Sequence, residues 1–359
     1  MIVLGAGEVG SYVAERLSKQ GIDVAVVESD AETLRSVEER LDVLVVHGSG
    51  VNPSVLADAG VDRADLLVAV TNDDAVNLMA SLVAKEAGVN STLVRIESEE
   101  LRSESASGLR EVVGADRFID PDAETARDIL ELLELPGASE VEHLAGGEVL
   151  IVGARLSETS SLVGKTLHQV AGEYEPDWEF LFGTISRDGE TVIPRGNYEL
   201  RPNDMVRVLG RRTYRREIME LLVLPLRAPR RVLLLGGGRT AELVAKPLVG
   251  RGSEVVIVER DEVRARELAE KLHRVTVLRG DITDAQVLAD AEIGTFDAVA
   301  ALTGEDDANI ISCLFANSQG AGETLAIAHR LELLPLLNEI GIDAALSPRT
   351  STADRVLAL

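Results

Sequence analysis

Two short glycine-rich segments recur in the sequence, each placed directly after a run of apolar residues and before an amphipathic stretch. The glycine positions of the first segment, followed by their counterparts in the second, are Gly5, Gly7, Gly10, Gly236, Gly238 and Ala241. Between a strand and a helix, glycines at this spacing permit a tight turn, the close approach of a pyrophosphate and close helix–strand packing. We therefore expect a phosphate-binding loop in the first segment. In the second, a turn without a ligand is a competing interpretation.

A glutamate follows each glycine segment at the end of the next apolar run. Glu28 and Glu259 each lie 18 residues after the third glycine position of their segment. A carboxylate at this strand end accepts hydrogen bonds from both hydroxyls of an adenosine ribose and disfavours a 2′-phosphate. The expected ligands are therefore NAD(H) or the adenine nucleotides ATP and ADP, with NADP disfavoured. Asp30 and Asp261, two residues further on, are expected to cap the following helices.

Further polar residues follow the third, fourth and fifth apolar runs. Asp281 of the second copy is suited to contact adenine or ribose, where the first copy has Ser49. After the fourth run, Thr71 to Asp74 and Thr303 to Asp306 place polar side chains and helix N-terminal amides at the crevice above the sheet. For the acids among them, helix capping is an equally good interpretation. Arg95 ends the fifth run, where it can bind a phosphate or pair with the strand-end glutamate of an empty site.

The candidate binding residues are grouped around these strand ends. They are Gly5, Ala6, Gly7, Glu8, Val9, Gly10, Glu28, Ser49, Thr71, Asn72, Asp73 and Arg95 in the first copy, and Gly236, Gly238, Arg239, Thr240, Glu259, Asp281 and Thr303 in the second. A dehydrogenase would also need a proton-transfer group near the nicotinamide and a substrate pocket from a further domain. The sequence offers no such set. An NAD-dependent oxidoreductase with tandem Rossmann domains is therefore the second hypothesis, and a scaffold with degenerate sites the third.

A duplicated βαβ arrangement must position these loops. The segment from Ala64 to Asn77 returns from Phe296 to Asn309, and in each copy short apolar runs alternate with amphipathic stretches. This order predicts α/β architecture with two Rossmann-like, doubly wound parallel sheets. Between the two sheets in the sequence, runs of alternating apolar and polar residues and the turn-forming pair Asp188-Gly189 predict a small α+β subdomain. The expected domains cover residues 1–135, 139–224 and 230–359.

Charge and composition exclude several classes of partner. The 359 residues include 61 acidic and 36 basic ones, a net charge of −25. Such a surface repels phosphate backbones and anionic lipid headgroups, so neither nucleic-acid binding nor membrane insertion is expected. Cys313 can form no internal disulfide and is expected in the core. No segment approaches the ~20 apolar residues that span a bilayer, and the strand-like start leaves no room for a signal segment, so a cytosolic protein is expected.

The combination of these segments resembles the TrkA family, the regulatory subunits of Trk-type potassium uptake systems, which are tandem arrays of RCK domains. The resemblance is carried by the first glycine segment, the strand ending at Glu28, residues Ala69 to Asn77, residues Asp116 to Pro121 and the central Leu162 to Leu167. It implies a regulator that docks on a membrane-embedded potassium-translocating subunit of the TrkH or TrkG type. It also implies that nucleotides bind the Rossmann sites and that their exchange rearranges domain dimers to gate the channel.

The sequence departs from the family pattern in two places. Ser49 replaces the aspartate that usually follows this glycine, so the adenine-side contacts of the first copy are expected to differ. The sequence stops at Leu359, where the family usually continues into a second C-terminal subdomain. Apolar helices after Pro121 and Pro348 would be left on an exposed edge, so a homodimer or larger homo-oligomer is expected. With its full glycine triad, the first site is the better candidate for control.

Overall fold

The computed structural model describes residues 1–102, 108, 112–174, 179–224 and 228–357, so parts of all three expected domains lie outside the described residues. The chain divides into two compact units. Unit 1 comprises Met1–Thr125 together with Ser347–Leu359, and unit 2 comprises Ala126–Leu346. The residues of unit 1 thus come from both ends of the chain.

Unit 1 contains a parallel sheet whose described strands follow the order β3-β2-β1-β4-β5-β6. The strands are β1 Ile2–Leu4, β2 Ala25–Glu28, β3 Leu44–His47, β4 Leu66–Ala69, β5 Ser91–Arg95 and β6 Arg117–Ile119. The helices between them are α1 Glu8–Lys19, α2 Ala31–Glu38, α3 Pro53–Asp58, α4 Asp74–Glu86 and α5 Glu99–Arg102. The strand order reverses between β1 and β4, which is where doubly wound sheets open a crevice at their carboxyl ends.

Strand β1 shows why the apolar runs of the sequence form this sheet. Ile2 and Leu4 join one buried apolar cluster, whereas Val3 joins the cluster on the opposite face. Helix α1 packs Val13 and Leu17, one turn apart, into the cluster that contains Val3. Because both faces of a parallel sheet are covered, its strands need apolar side chains on both sides and read as continuous Val and Leu runs.

Unit 2 begins within helix α6, Pro121–Glu134. The buried apolar residues of this helix share a cluster with strands of the second parallel sheet, and they are Ala126, Ile129, Leu132 and Leu133. Their spacing of three, three and one residues gives one apolar face, as an amphipathic helix requires. The expectation that the helix after Pro121 is left on an exposed edge is therefore wrong, because this face is covered within the chain.

An antiparallel sheet follows α6, with its described strands in the order β10-β9-β11-β8-β7. Its elements are β7 Glu140–Leu144, β8 Val149–Arg155, α7 Leu167–Tyr174, β9 Phe180–Arg187, β10 Glu190–Val192, β11 Met205–Arg211 and α8 Arg215–Leu221. The hairpin between β9 and β10 turns through Asp188 at φ +52° and Gly189 at φ +80°. Two left-handed residues are what a type I′ turn requires, so the predicted hairpin is confirmed.

A partly buried ion pair links β9 to the turn before β11. Arg187 donates Nε to Asp204 Oδ1 at 2.6 Å and Nη2 to Asp204 Oδ2 at 2.7 Å. The backbone N–H of Arg201 donates to the same carboxylate at 2.8 Å. The Asp204 side chain is fully buried, so the bidentate guanidinium balances its charge. The side-chain hydrogen bonding between Arg187 and Asp204 is also the main reason why the pKa of Arg187 is raised.

The second parallel sheet repeats the first, in the order β14-β13-β12-β15-β16-β17. Its elements are β12 Arg231–Leu235, α9 Arg239–Gly250, β13 Glu254–Glu259, α10 Glu262–Lys271, β14 Val275–Arg279, α11 Ala285–Asp290, β15 Ala298–Ala301, α12 Asp306–Ser318, β16 Glu323–Ile327, α13 Leu334–Glu339 and β17 Ala344–Leu346. Cys313 of α12 is buried, and its thiol donates to the Leu325 carbonyl at 3.4 Å. Burial raises the pKa of this thiol to about 12, as suits a core residue.

The last helix, α14 Pro348–Leu357, belongs to unit 1 although it follows a strand of unit 2. Its Ala353 and Val356 are buried in the cluster that contains Val13 of α1. The second helix that we expected on an exposed edge is therefore also covered within the chain. Neither helix therefore leaves an exposed apolar edge that a homo-oligomer would have to cover.

The fold class is confirmed: two Rossmann-like parallel sheets flank a small α+β subdomain. The domain bounds of 1–135, 139–224 and 230–359 stay predictions. Within the described residues, no helix combines the length and the apolar character needed to cross a membrane.

Candidate functional site

A crevice opens at the carboxyl ends of each parallel sheet, beside the point where the strand order reverses. The first crevice encloses about 500 Å³ and brings together seven of the predicted residues: Gly5, Gly7, Glu28, Ser49, Thr71, Asn72 and Asp73. The second crevice encloses about 420 Å³ and brings together Gly236, Gly238, Glu259, Asp281 and Thr303. Both volumes are in the range of small-molecule binding sites.

The glycine loops meet the steric demands that their spacing predicts. Gly5 and Gly236 have φ angles of +96° and +102°, in the left-handed region that favours glycine. A Cβ added at Gly10 would lie 1.9 Å from the Gly5 carbonyl oxygen, so α1 approaches the loop too closely for a side chain. A Cβ added at Gly7 would meet nothing within 4 Å, so this position faces open space in which a phosphate can approach.

Helices α1 and α9 begin at these loops without a capping side chain. Their N-cap residues are Gly7 and Gly238, and within the described residues neither helix start receives a side-chain cap. The first N–H groups of an α-helix have no intrahelical acceptor, and the helix dipole adds positive potential there. Each crevice therefore presents backbone donors suited to a phosphate group.

The two strand-end glutamates are held in the same way. Glu28 accepts the Ala6 N–H at 2.7 Å through one oxygen and the Asp30 N–H at 2.9 Å through the other. Glu259 accepts the Gly237 N–H and the Asp261 N–H, both at 2.7 Å. Glu28 Oε1 also accepts the N–H and the hydroxyl of Ser29, so the free acceptor capacity of Glu28 is on Oε2, whereas both oxygens of Glu259 keep a lone pair. Both glutamates can therefore also accept hydrogen bonds from hydroxyl groups. As predicted, the two aspartates cap their helices, α2 and α10.

The two crevices differ beyond the third strand. Asp281 lines the second crevice, and its Oδ1 accepts the backbone N–H of Thr283 at 2.8 Å and its hydroxyl at 2.7 Å. The hydrogen bonds from Thr283 lower the pKa of Asp281. Ser49 holds the corresponding place in the first crevice. An acceptor-only carboxylate thus faces the second crevice where a hydroxyl faces the first.

A buried asparagine locks the loop after the fourth strand in each copy. In the first copy, Asn77 accepts the Thr71 N–H at 3.0 Å and donates to the carbonyl oxygens of Thr71 and Arg95, each at 3.0 Å. Asn309 makes the equivalent contacts in the second copy. We did not predict these asparagines as site residues, although each occupies the same place in the sequence repeat. Asp73 lines the first crevice and also caps α4, accepting two backbone N–H groups.

Arg95 does not pair with Glu28. Its Nη1 donates to Asn72 Oδ1 at 3.1 Å, and its Nη2 contacts the Glu97 carboxylate. Its Nε is buried and has no hydrogen-bond partner among the described residues. Asn72 lines the first crevice, so Arg95 reaches that crevice indirectly. The second copy has Ile327 in the corresponding position and therefore lacks this cation.

The remaining predicted residues lie outside the crevice linings, and they are Ala6, Glu8, Val9, Gly10, Arg95, Arg239 and Thr240. Ala6 contributes its N–H to the strand-end glutamate, and Val9 and Gly10 are buried under the loop. Glu8 pairs with Arg349 of α14 within unit 1, with the Arg349 Nε 2.9 Å from the carboxylate. Arg239 and Thr240 form the first turn of α9.

The crevices also contain residues that our sequence reasoning missed. Among the polar residues and glycines they are Ser29, Thr33 and Gly50 in the first crevice, and Gly237, Arg260 and Thr283 in the second. Most are immediate neighbours of predicted residues at the strand ends. They could have been predicted from this adjacency in sequence, because the residues that directly follow a parallel strand lie near this edge of the sheet.

The fold, with two Rossmann-like domains that each carry a crevice at the strand ends, is similar to that of solved RCK domains. The crystal structure of the GsuK RCK domain is similar with a TM-score of 0.69 and 18% sequence identity, over 99% of this chain and 75% of that one. The GsuK channel bound to NAD gives a TM-score of 0.70 at 18% identity, over 99% of this chain and 62% of the channel chain.

Sequence comparison identifies the family. The TrkA-N domain profile matches residues 1–121 and 232–348. The Trk system potassium uptake protein TrkA homolog of Archaeoglobus fulgidus is 34% identical, over 100% of this chain and 80% of that protein. The Trk system potassium uptake protein TrkA of Halomonas elongata is 34% identical, over 99% of this chain and 78% of that protein. The chain belongs to the TrkA family, which confirms the resemblance seen in the sequence.

Proposed function

We propose that this protein is a nucleotide-sensing regulatory subunit that gates a Trk-type potassium uptake channel or transporter. The observation that carries the proposal is the repeated arrangement of a glycine loop and a strand-end glutamate. In each copy, backbone N–H groups hold a carboxylate beside an uncapped helix start. This pairing of a hydroxyl-accepting group with a phosphate-binding helix end suits an adenosine phosphate.

The ligands we propose are NAD(H), ATP or ADP. Glu28 and Glu259 can accept ribose hydroxyls, whereas a 2′-phosphate at either place would meet a carboxylate. NADP is therefore disfavoured. The solved GsuK structures described as bound to NAD and to ADP support the same ligand class by analogy of fold.

The proposed binding residues are the nineteen predicted above, with seven in the lining of the first crevice and five in that of the second. The first crevice is the better candidate for control, because it has the full glycine triad and Arg95 close to Asn72. We retain the proposed domain bounds and a homo-oligomeric assembly, the latter from family membership alone.

Regulation requires that the nucleotide bind one arrangement of the protein more tightly than another, since only differential affinity shifts an equilibrium. The partner that reads this shift is a membrane-embedded potassium-translocating subunit of the TrkH or TrkG type, at the inner face of the cell membrane. The relatives named as Trk system potassium uptake proteins support this partner. No catalytic step is proposed, so nucleotide binds and is released unchanged.

Potassium flux tests this function directly. Vesicles containing the cognate potassium-translocating subunit would be loaded with the purified protein, and potassium uptake measured with ADP, ATP, NADH or no nucleotide. We expect uptake to depend on the nucleotide and only when the protein is present. Uptake that is identical under all four conditions contradicts gating. Steady oxidation of NADH with a carbonyl substrate, followed at 340 nm, would favour an oxidoreductase instead.

A further inference from the structure

The second crevice has an ion pair across its mouth that the first crevice is not equipped to form. Arg260 follows Glu259 at the end of β13, and Glu305 lies in the loop between β15 and α12; both Arg260 and Glu305 line the crevice. The Arg260 Nη2 donates to Glu305 Oε1 at 2.8 Å. The corresponding residues of the first copy are Ser29 and Asp73, which cannot form an ion pair because serine is uncharged.

Arg260 lies on the adenosine side of the second crevice. The residue before it is Glu259, which we propose as the ribose-binding carboxylate. Across the strand ends lies Asp281, whose pKa is lowered by the Thr283 hydrogen bonds and, in addition, by the nearby charge of Arg260. Arg260, Asp281 and Glu305 thus line one crevice beside the strand-end glutamate, on the side where the base attached to a bound ribose is expected.

The ion pair between Arg260 and Glu305 can be broken at little cost in stability. The side chains of Arg260 and Glu305 are 66% and 57% exposed, and pairs this exposed contribute little to stability. A released guanidinium has a planar, delocalised surface that stacks on aromatic rings. Such stacking is favourable when a cation lies over the face of an aromatic system.

We propose that Arg260 covers the adenine base of a nucleotide in the second crevice and that Glu305 restrains it when the crevice is empty. This inference rests on the proposed function, because it assumes that an adenine nucleotide binds there. It makes Arg260 a determinant of base recognition that only the second copy possesses. The two crevices then differ in how they hold adenosine, since Ser29 in the first cannot stack.

Calorimetric titration of ADP into variants of the full chain tests the proposal. All variants carry Glu28→Ala, which is expected to leave one binding event per chain, at the second crevice. Arg260→Ala should weaken ADP binding about tenfold through loss of stacking. Glu305→Gln should strengthen it about threefold, because the restraint is gone. In the Arg260→Ala background, Glu305→Gln should have no effect, since nothing is left to restrain.

Each alternative has its own outcome. If both single variants strengthen ADP binding, the pair is only a barrier at the crevice mouth and the proposal is overturned. If neither changes the affinity, the pair is a surface contact without a role in binding, and the proposal is equally overturned while the proposed function stands. If the Glu28→Ala parent shows no binding event at all, the proposed function fails at the second crevice and this inference fails with it. Unfolding temperatures of the ligand-free variants, expected to equal the parent's, separate binding effects from folding defects.

Discussion

Replacement of Glu323 by glutamine should remove a pH dependence of stability that is built into unit 2. Glu323 begins β16, and the residue is 8% exposed. One of its carboxylate oxygens accepts the Gly137 N–H at 3.1 Å, whereas the other has no hydrogen-bond partner among the described residues. Burial, with a smaller contribution from the like charge of Asp343, raises the pKa of Glu323 to about 7.

The size and sign of the effect follow from this pKa. One pKa unit corresponds to about 1.4 kcal/mol, so a rise from 4.5 to about 7 amounts to about 3 kcal/mol. Below pH 4.5 the folded and unfolded states both keep the proton, and stability is unaffected. As the pH rises to about 7 the unfolded state loses the proton first, so the free energy of unfolding falls. Above about pH 7 the full loss is present. Glutamine cannot titrate, so the variant should lack this slope.

Urea denaturation at a series of pH values between about 5 and about 8 measures the effect. We expect the free energy of unfolding of the wild-type protein to fall by about 2.5 kcal/mol more than that of Glu323→Gln over this range, because the loss has already begun at pH 5. Glu332→Gln is the matched control, because it changes an exposed acid of the same unit and should leave the slope unchanged. Parallel pH profiles for wild type and Glu323→Gln would refute the argument that this carboxyl is protonated by burial.

Three further experiments test the glycine loop of the first crevice, the Arg187–Asp204 ion pair and the buried thiol of Cys313. Gly10→Ala should weaken nucleotide binding at the first crevice, because its Cβ would lie 1.9 Å from the Gly5 carbonyl oxygen; in the second copy Ala241→Gly should leave binding intact, and equal losses by calorimetry would contradict this. Arg187→Ala should destabilise the protein by about 3 kcal/mol or more in urea denaturation, since it leaves the fully buried Asp204 carboxylate without its counter-ion; a change below about 1 kcal/mol would show that the pair is dispensable. Cys313, with its thiol pKa raised to about 12, should resist a thiol reagent until the protein unfolds; rapid labelling of the native protein would show that it is accessible.

Strand ends and glycine loops were predictable because their signals are local. Continuous apolar runs specify parallel strands, and a parallel strand places whatever follows it at one edge of the sheet. This is why Glu28 and Glu259 were located correctly from spacing alone. The hairpin at Asp188-Gly189 was equally local, because two left-handed residues in sequence leave few alternatives.

Contacts between distant parts of the chain were not predictable in the same way. The apolar faces of α6 and α14 were visible in the sequence, but the pattern does not say what covers them. The structure covers α6 with strands of the second sheet and α14 with α1, so the inference of exposed helices was wrong. The partner of Arg95 was similarly underdetermined, because several acids lie within reach of a long side chain and local geometry selects Glu97.

Both crevices are proposed to hold an adenine nucleotide through their strand-end glutamates. Calorimetric titration of ADP and of NADH into the wild-type chain and into the double variant Glu28→Ala, Glu259→Ala tests this proposal. We predict binding to the wild-type protein and a loss of at least about tenfold in affinity for the double variant, because the contacts to ribose hydroxyls are lost. The ligand-free variant should still fold, with a lower unfolding temperature from the loss of the backbone N–H contacts to the two glutamates. Unchanged affinity in the double variant, or no binding to the wild-type protein, would contradict the claim.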